Sequence, residues 1–190
     1  MIALLLALAG LLRSPCDPPD APMPTAQQAA AVRDEIRGVV AELGGSPRFA
    51  DYLVAVAGRE SKMRPGIVHT GDAAFAAAAY RRLRAQHVAQ GHPFALRPEF
   101  WLSYGLFGQN SNYHGHLRDP RQLCTVRGAV SSYQRSAKSV IRRMRRRCVA
   151  RPTWADLHRA VQGGDLCPDG GRERIPARLA ERPLEPGDIG

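Results

Sequence analysis

The sequence has no apolar run long enough to cross a membrane as a helix. Its longest run, Ile2–Leu12, has eleven residues, whereas a membrane-spanning helix needs about 20. The run resembles the apolar region of a secretory signal peptide, with Ala7-Leu8-Ala9 as the nearest match to a cleavage site, although no basic segment precedes it. We therefore expect an exported protein, located in the periplasm or the cell envelope.

Cysteine is scarce, and its spacing excludes a zinc site. The four cysteines, Cys16, Cys124, Cys148 and Cys167, form no CxxC pair and lie near no paired histidines. They suit disulfide bonds in an oxidising compartment. Cys124 and Cys148 flank a predicted helix that would separate them by about 36 Å, which excludes a bond between them. We favour Cys148–Cys167 over its rival Cys124–Cys167, with Cys16 free, lipidated or removed.

Acidic residues are outnumbered, with 17 Asp and Glu against 27 Lys and Arg, and the sequence pI is about 10.3. This excess predicts affinity for polyanions, of which nucleic acid and bacterial cell wall are both examples. Five arginines end a predicted helix, where they complement the helix dipole or bind an anionic wall polymer. They are Arg142, Arg143, Arg145, Arg146 and Arg147. No recognition-helix signature accompanies them, so we expect no specific nucleic-acid partner.

No alternating strand pattern and no internal repeat is present, so we predict an all-α protein. The predicted organisation is an apolar and proline-rich leader over 1–24, a helical domain over 25–167 and a Pro/Gly-rich tail over 168–190. A capping box at Thr25 begins the first helix, and Ser46 with Pro47 begins the second, which runs to about Lys62. Further helices are expected over Ala73–Gln90, from Val126 to the arginine-rich stretch Arg142–Cys148, from Thr153 to the closing pair Gly163-Gly164 and near Arg174–Glu181, with a loop over Phe100–Gly115.

Glu60 is the candidate catalytic residue. Three apolar residues lie on its helix face, one and two turns earlier: Leu53, Val56 and Ala57. Desolvation and the negative end of the helix dipole would both favour a protonated carboxyl, which glycosidic-bond cleavage needs as a proton donor. The alternative is that Glu60 turns outward or pairs with Arg59 or Arg64.

Three stretches together resemble the soluble lytic transglycosylases. Gly58–Ser61 (GRES) resembles their catalytic Glu-Ser motif. Ser103–Gln109 (SYGLFGQ) resembles their Gly-Leu-Met-Gln loop, with Phe107 for Met and Gly108 inserted. Ala160–Gly164 (AVQGG) is similar to their Ala-Tyr-Asn-Ala-Gly motif. The resemblance covers roughly residues 46–164, and the order and helix context of the motifs agree with the family.

The resemblance implies a lysozyme-like helical fold that cleaves the glycan strands of peptidoglycan, with no metal or cofactor. Glu60 would act as general acid and base, and the 6-hydroxyl of N-acetylmuramic acid would attack to give a 1,6-anhydro product. The implied substrate-binding residues are Ser61, Tyr104, Gly105, Leu106, Phe107, Gln109 and Gln162. We expect a monomer whose partner is the glycan strand.

The sequence departs from the family pattern at two points. Val161 stands where the family has a tyrosine near the catalytic carboxyl, and Tyr104 or Tyr113 would have to substitute. The segment Ala73–Gln90 is an inserted helix between Glu60 and the Gly-Leu-Phe loop.

Three other functions stay open. A hydrolytic muramidase would need a second carboxylate, for which Asp72, Glu99 and Asp119 are candidates. The others are a non-catalytic wall-binding protein of the same fold and a nucleic-acid-binding helical protein.

Overall fold

The computed structural model describes residues 16, 21–69, 78, 81–82, 84–86, 88–91, 103–110, 120–148, 151–162 and 182–190. Over these residues the protein is mainly helical, as predicted. The helices are α1 (Ala26–Glu42), α2 (Pro47–Glu60), α3 (Val126–Arg147) and α4 (Trp154–Gln162), with a 3₁₀ helix over Pro120–Cys124. The described residues between 78 and 89 are also helical and lie in the predicted inserted helix, whose start is outside the described part. The helix predicted near Arg174–Glu181 is outside it as well.

The helices begin where their capping residues predict. The Thr25 hydroxyl accepts from the Gln28 backbone N–H, and the Gln28 side chain accepts from that of Thr25. Ser46 Oγ accepts from the Phe49 N–H at 3.2 Å. Each cap satisfies a donor that the first helical turn leaves unpaired. Helix α2 ends at Glu60 with Ser61 as its C-cap, two residues before the predicted end.

Helix α2 contributes six buried residues to the hydrophobic core. Its buried residues pack with those of α1, α3 and α4 in one cluster. Burying a large apolar side chain stabilises the fold by about 1.5–3 kcal/mol, so the core fixes the position of α2. The largest fully buried side chains are Trp154, Tyr52, Tyr133, Phe49, Phe107 and Ile36.

A small antiparallel sheet is present where the sequence analysis predicted no strand. Two of its strands lie in the predicted loop over Phe100–Gly115, and the third comes from an earlier part of the chain. The strands are β1 (Val68–His69), β2 (Ser103–Tyr104) and β3 (Gln109–Asn110), in the order β1-β2-β3. Val68 pairs with Tyr104, which pairs with Gln109. Strands of two residues are too short to produce a recognisable alternation, which explains why the pattern did not reveal them.

The last nine residues belong to the helical domain, although the sequence analysis placed them in a tail. Leu184 and Ile189 are buried in the core cluster. Backbone hydrogen bonds join Leu184 N to Pro152 O at 2.8 Å and Ser46 N to Asp188 O at 2.9 Å. Residues 182–190 therefore cover one side of the core.

The disulfide bond that the structure describes joins Cys16 to Cys124, which are 108 residues apart. The prediction that Cys16 is free, lipidated or removed is wrong, and so is the rival pair Cys124–Cys167. Cys148 is also disulfide-bonded, while Cys167 lies outside the described residues, so the pair Cys148–Cys167 stays a prediction. None of the helices in the described part is long and apolar enough to span a bilayer.

Candidate active site

Glu60 lies at the C-terminal end of α2, and its side chain is 27% exposed. The three residues of its apolar face, Leu53, Val56 and Ala57, are buried. However, Arg59 pairs with the carboxylate: its Nε donates to Glu60 Oε1 at 3.1 Å, and a terminal guanidinium nitrogen contacts the same oxygen. The partner is one of the two that the alternative interpretation named.

The chain turns sharply directly after Glu60. Ser61 is the C-cap of the helix and is buried, and its hydroxyl donates to Ala57 O at 2.8 Å. Lys62 and Met63 follow with φ of 54° and 63°, a left-handed conformation that non-glycine residues seldom adopt. The Met63 side chain is buried in the core. Its packing holds the turn and thereby fixes the end of α2 that carries Glu60.

The second carboxylate oxygen of Glu60 faces a glycine of the turn between β2 and β3. A methyl group on Gly108 would lie 3.8 Å from Glu60 Oε2 and 3.8 Å from His69 Nε2. His69 itself donates from Nε2 to Gly105 O at 3.3 Å. Gly108 has a φ of 57°, which glycine adopts without strain. A side chain at position 108 would therefore contact both Glu60 and His69.

A buried chain of polar groups leads from Arg59 into the core. Arg59 lies 3.3 Å from His158 Nε2, His158 Nδ1 lies 3.3 Å from the Tyr52 hydroxyl, and the Tyr52 and Tyr133 hydroxyls are 2.6 Å apart. Arginine has no acceptor, so Nε2 accepts from it and Nδ1 carries the proton of a neutral imidazole. Burial, followed by the neighbouring Tyr133, raises the pKa of Tyr52 well above its usual value of 10.0. The chain therefore consists of neutral groups that end at the Arg59 cation.

Most of the predicted substrate-binding residues are part of the core. Tyr104, Leu106, Phe107 and Gln109 are buried, so in this conformation they do not line a ligand site. Tyr104 packs with Leu123 and the disulfide in a separate cluster. These residues anchor the turn that carries Gly108, which is a structural role.

Gly105 and Gln109 show how closely the turn is held. A methyl group on Gly105 would lie 1.8 Å from Leu123 O, so only glycine fits there. The Gln109 amide lies against α3, donating to Ala129 O at 3.0 Å and accepting from Ser132 Oγ at 3.3 Å. Gln162 is the last residue of α4, and its side chain is outside the described part.

The sequence analysis named Arg59 as a possible partner of Glu60 and Gly108 as an inserted residue, but it missed His69, His158 and Tyr52. Two of them left a signal. Tyr52 precedes Arg59 by seven residues and shares its helix face, and His158 follows Leu157 on the buried side of α4. Of the two proposed substitutes for the family tyrosine, Tyr104 lies in the other hydrophobic cluster, and Tyr113 lies outside the described residues.

The five arginines near the end of α3 are all exposed. No ion pair among the described residues includes them. A groove of about 240 Å³ lies between α3 and the C-terminal segment. Arg142, Arg145 and Lys138 line it on the α3 side, and Leu184 and Ile189 line it on the other side. This face is strongly cationic.

In the described part of the chain, no group of three or more His, Cys, Asp and Glu side chains is placed to hold a metal ion. The three candidates for a second carboxylate, Asp72, Glu99 and Asp119, lie outside that part. Comparisons with protein-family models, with curated proteins and with solved structures find no match to this chain.

Proposed function

We propose that the protein is a peptidoglycan-cleaving glycosidase of lysozyme-like fold, in which Glu60 is the general acid and base. The observation that carries the proposal is that two of the three sequence motifs lie together at one carboxylate, with the helix that begins the third close by. Glu60 belongs to the first motif, and its Oε2 faces Gly108 of the second. Helix α4, which leads into the third motif, reaches Glu60 through His158 and Arg59.

The proposed reaction is that of a lytic transglycosylase. Protonated Glu60 donates its proton to the oxygen of the bond between N-acetylmuramic acid and N-acetylglucosamine. As C1–O4 breaks, the 6-hydroxyl of the muramic acid residue bonds to C1 and gives its proton back to Glu60. The product is a 1,6-anhydro sugar, no water is consumed, and no metal or cofactor takes part. General acid–base catalysis by one such group contributes about 10²–10⁴-fold to the rate.

The test replaces Glu60 by glutamine, which keeps the shape of the side chain and removes the acid. The parent protein should release 1,6-anhydro muropeptides from purified sacculi, detected by mass spectrometry as products one water lighter than reducing ends. Glu60→Gln should lose at least about 10²-fold of this rate while it still binds sacculi. Glu35→Gln, at an exposed position of α1, is the matched control and should be fully active.

Other outcomes lead to different functions. Reducing ends would indicate a hydrolytic muramidase, and parental activity in a folded Glu60→Gln variant would contradict the role of Glu60. A parent that binds sacculi without cleaving them would be a wall-binding protein. Export to the periplasm or cell envelope and a monomeric state complete the proposal, together with binding of anionic wall polymer by the arginines of α3.

A further inference from the structure

The groove between α3 and the C-terminal segment has an excess of positive charge. Lys138, Arg142 and Arg145, which we call the groove cations, line its α3 side. They are four and three residues apart, so they share one helix face and span about 10 Å along it. Within the described part of the chain, their side chains take part in no hydrogen bond or ion pair. Glu185 on the other side of the groove is a single acid against these three cations.

The floor of the groove is apolar. It consists of Ile141 from α3 and of Leu184 and Ile189 from the C-terminal segment. Their exposed fractions are 7%, 5% and 7%, whereas the groove cations are exposed. The apolar surface is therefore recessed behind a charged rim. A ligand that uses both parts must insert an apolar group and carry negative charge beside it.

Two other kinds of anionic partner fit this arrangement less well. A lipid bilayer binds apolar side chains that protrude into it, but the large hydrophobic residues that are exposed in the described part, Met23 and Val88, do not line the groove. A polyanion without apolar groups would leave the floor unused.

The size of the groove indicates what part of a ligand it can hold. Its volume of about 240 Å³ is below the ~300–1,000 Å³ of pockets that enclose a small molecule. It therefore suits one side chain of a larger partner.

We infer that the groove binds an acidic peptide segment of a partner protein. One apolar side chain of the segment contacts the floor, and neighbouring carboxylates pair with the groove cations. The inference goes beyond the proposed cleavage reaction, because the groove includes neither Glu60 nor the residues around it. It also differs from binding of wall polymer by charge alone, which would use all five arginines of the α3 end. Only Arg142 and Arg145 among the five line the groove.

Fluorescence anisotropy with a fluorescein-labelled peptide of sequence EELEE, blocked at its C-terminus, tests the inference. Its five residues span about 16 Å when extended, which is enough to reach all the groove cations. The parent protein should bind this peptide at physiological ionic strength. The peptide EESEE should bind about tenfold more weakly, because it lacks the apolar side chain. The neutral peptide QQLQQ should also bind about tenfold more weakly, because it forms no ion pairs.

Two double variants with the same change in charge distinguish the groove from the general positive charge of α3. Arg142→Gln with Arg145→Gln removes two groove cations and should weaken binding of EELEE about fivefold or more. Arg143→Gln with Arg146→Gln removes two exposed arginines that do not line the groove. This pair should change the affinity by less than about twofold, because charges that do not contact the peptide are largely screened at this ionic strength. All four positions are exposed, so both variants should fold, which circular dichroism checks.

Equal losses in the two double variants would overturn the inference, since they would show attraction by charge alone. Equal affinity for EELEE and EESEE would overturn it too, because the floor would then have no part in binding. No binding of EELEE would have the same consequence, and binding of phosphatidylglycerol vesicles in its place would assign this face to a lipid surface. None of the variants changes a residue near Glu60, so the sacculus cleavage assay judges the proposed function separately.

Discussion

Tyr52 and Tyr133 form the buried end of the polar chain that leads to Arg59 and Glu60, and replacing their hydroxyls tests that chain directly. The two oxygens are 2.6 Å apart, and neither residue is exposed. Tyr52→Phe keeps the ring, including its edge contact with Tyr133 at 6.0 Å between centroids. It takes away a hydrogen-bond partner from Tyr133 and from His158. Loss of a partner by a buried polar group costs about 1–3 kcal/mol, so we expect each single variant to lose that much stability.

The double variant distinguishes a specific interaction from general disturbance of the core. With both hydroxyls removed, neither is left without the other, so the double loss should be smaller than the sum of the single losses by about 1 kcal/mol. Urea denaturation followed by circular dichroism measures all four proteins. A second cycle, which combines Tyr52→Phe with Tyr104→Phe in the other hydrophobic cluster, should give additive losses of stability. Additive losses in the Tyr52–Tyr133 cycle would refute the interaction.

The same hydroxyl predicts how stability depends on alkaline pH. Burial and Tyr133 raise the pKa of Tyr52 in the folded protein above the 10.0 of an exposed tyrosine. The unfolded chain therefore loses this proton at lower pH than the folded protein. The corresponding stability is complete below about pH 10 and is lost as the pH rises further. The unfolding free energy should fall above pH 10 less steeply in Tyr52→Phe, and equal slopes would contradict the burial argument.

Three further predictions concern other parts of the molecule. Replacing Cys16 and Cys124 by serine should lower the unfolding free energy by about 2–4 kcal/mol, measured against the parent in denaturant, and an unchanged value would show that the bond constrains little. Changing the arginines of residues 142–147 to glutamine should weaken binding to sacculi at low salt only, since exposed charges are screened over about 8–10 Å at physiological ionic strength. Gly108→Asn should keep the left-handed backbone but place a side chain against Glu60. It should therefore slow muropeptide release about tenfold or more, and a parental rate would contradict the importance of glycine at this position.

The helices could be predicted because their signals act over a few residues. The cap at Thr25 involves Gln28, and that at Ser46 involves Phe49, each three residues away. The apolar spacing of α2 likewise indicated which face would be buried. These features need no knowledge of the rest of the chain, and the structure confirms them.

The sheet, the disulfide and the C-terminal segment depend on contacts between distant parts of the chain. The cysteines of the described bond are 108 residues apart, and no local pattern identifies such a pair. Residues 182–190 are rich in proline and glycine, which is typical of a tail. Two apolar side chains, Leu184 and Ile189, nevertheless reach the core. The composition of this segment therefore did not reveal that it packs on the core.

The surroundings of Glu60 illustrate the same division within a single site. The apolar face of α2 was predictable, and so was the set of partners that could neutralise the carboxylate. The sequence could not show which of these partners would bind Glu60. Arg59 also contacts His158 of α4, and Gly108 of a distant turn lies beside the carboxylate. The pairing of Glu60 with Arg59 therefore depends in part on α4, whose His158 lies 99 residues further along the chain than Arg59.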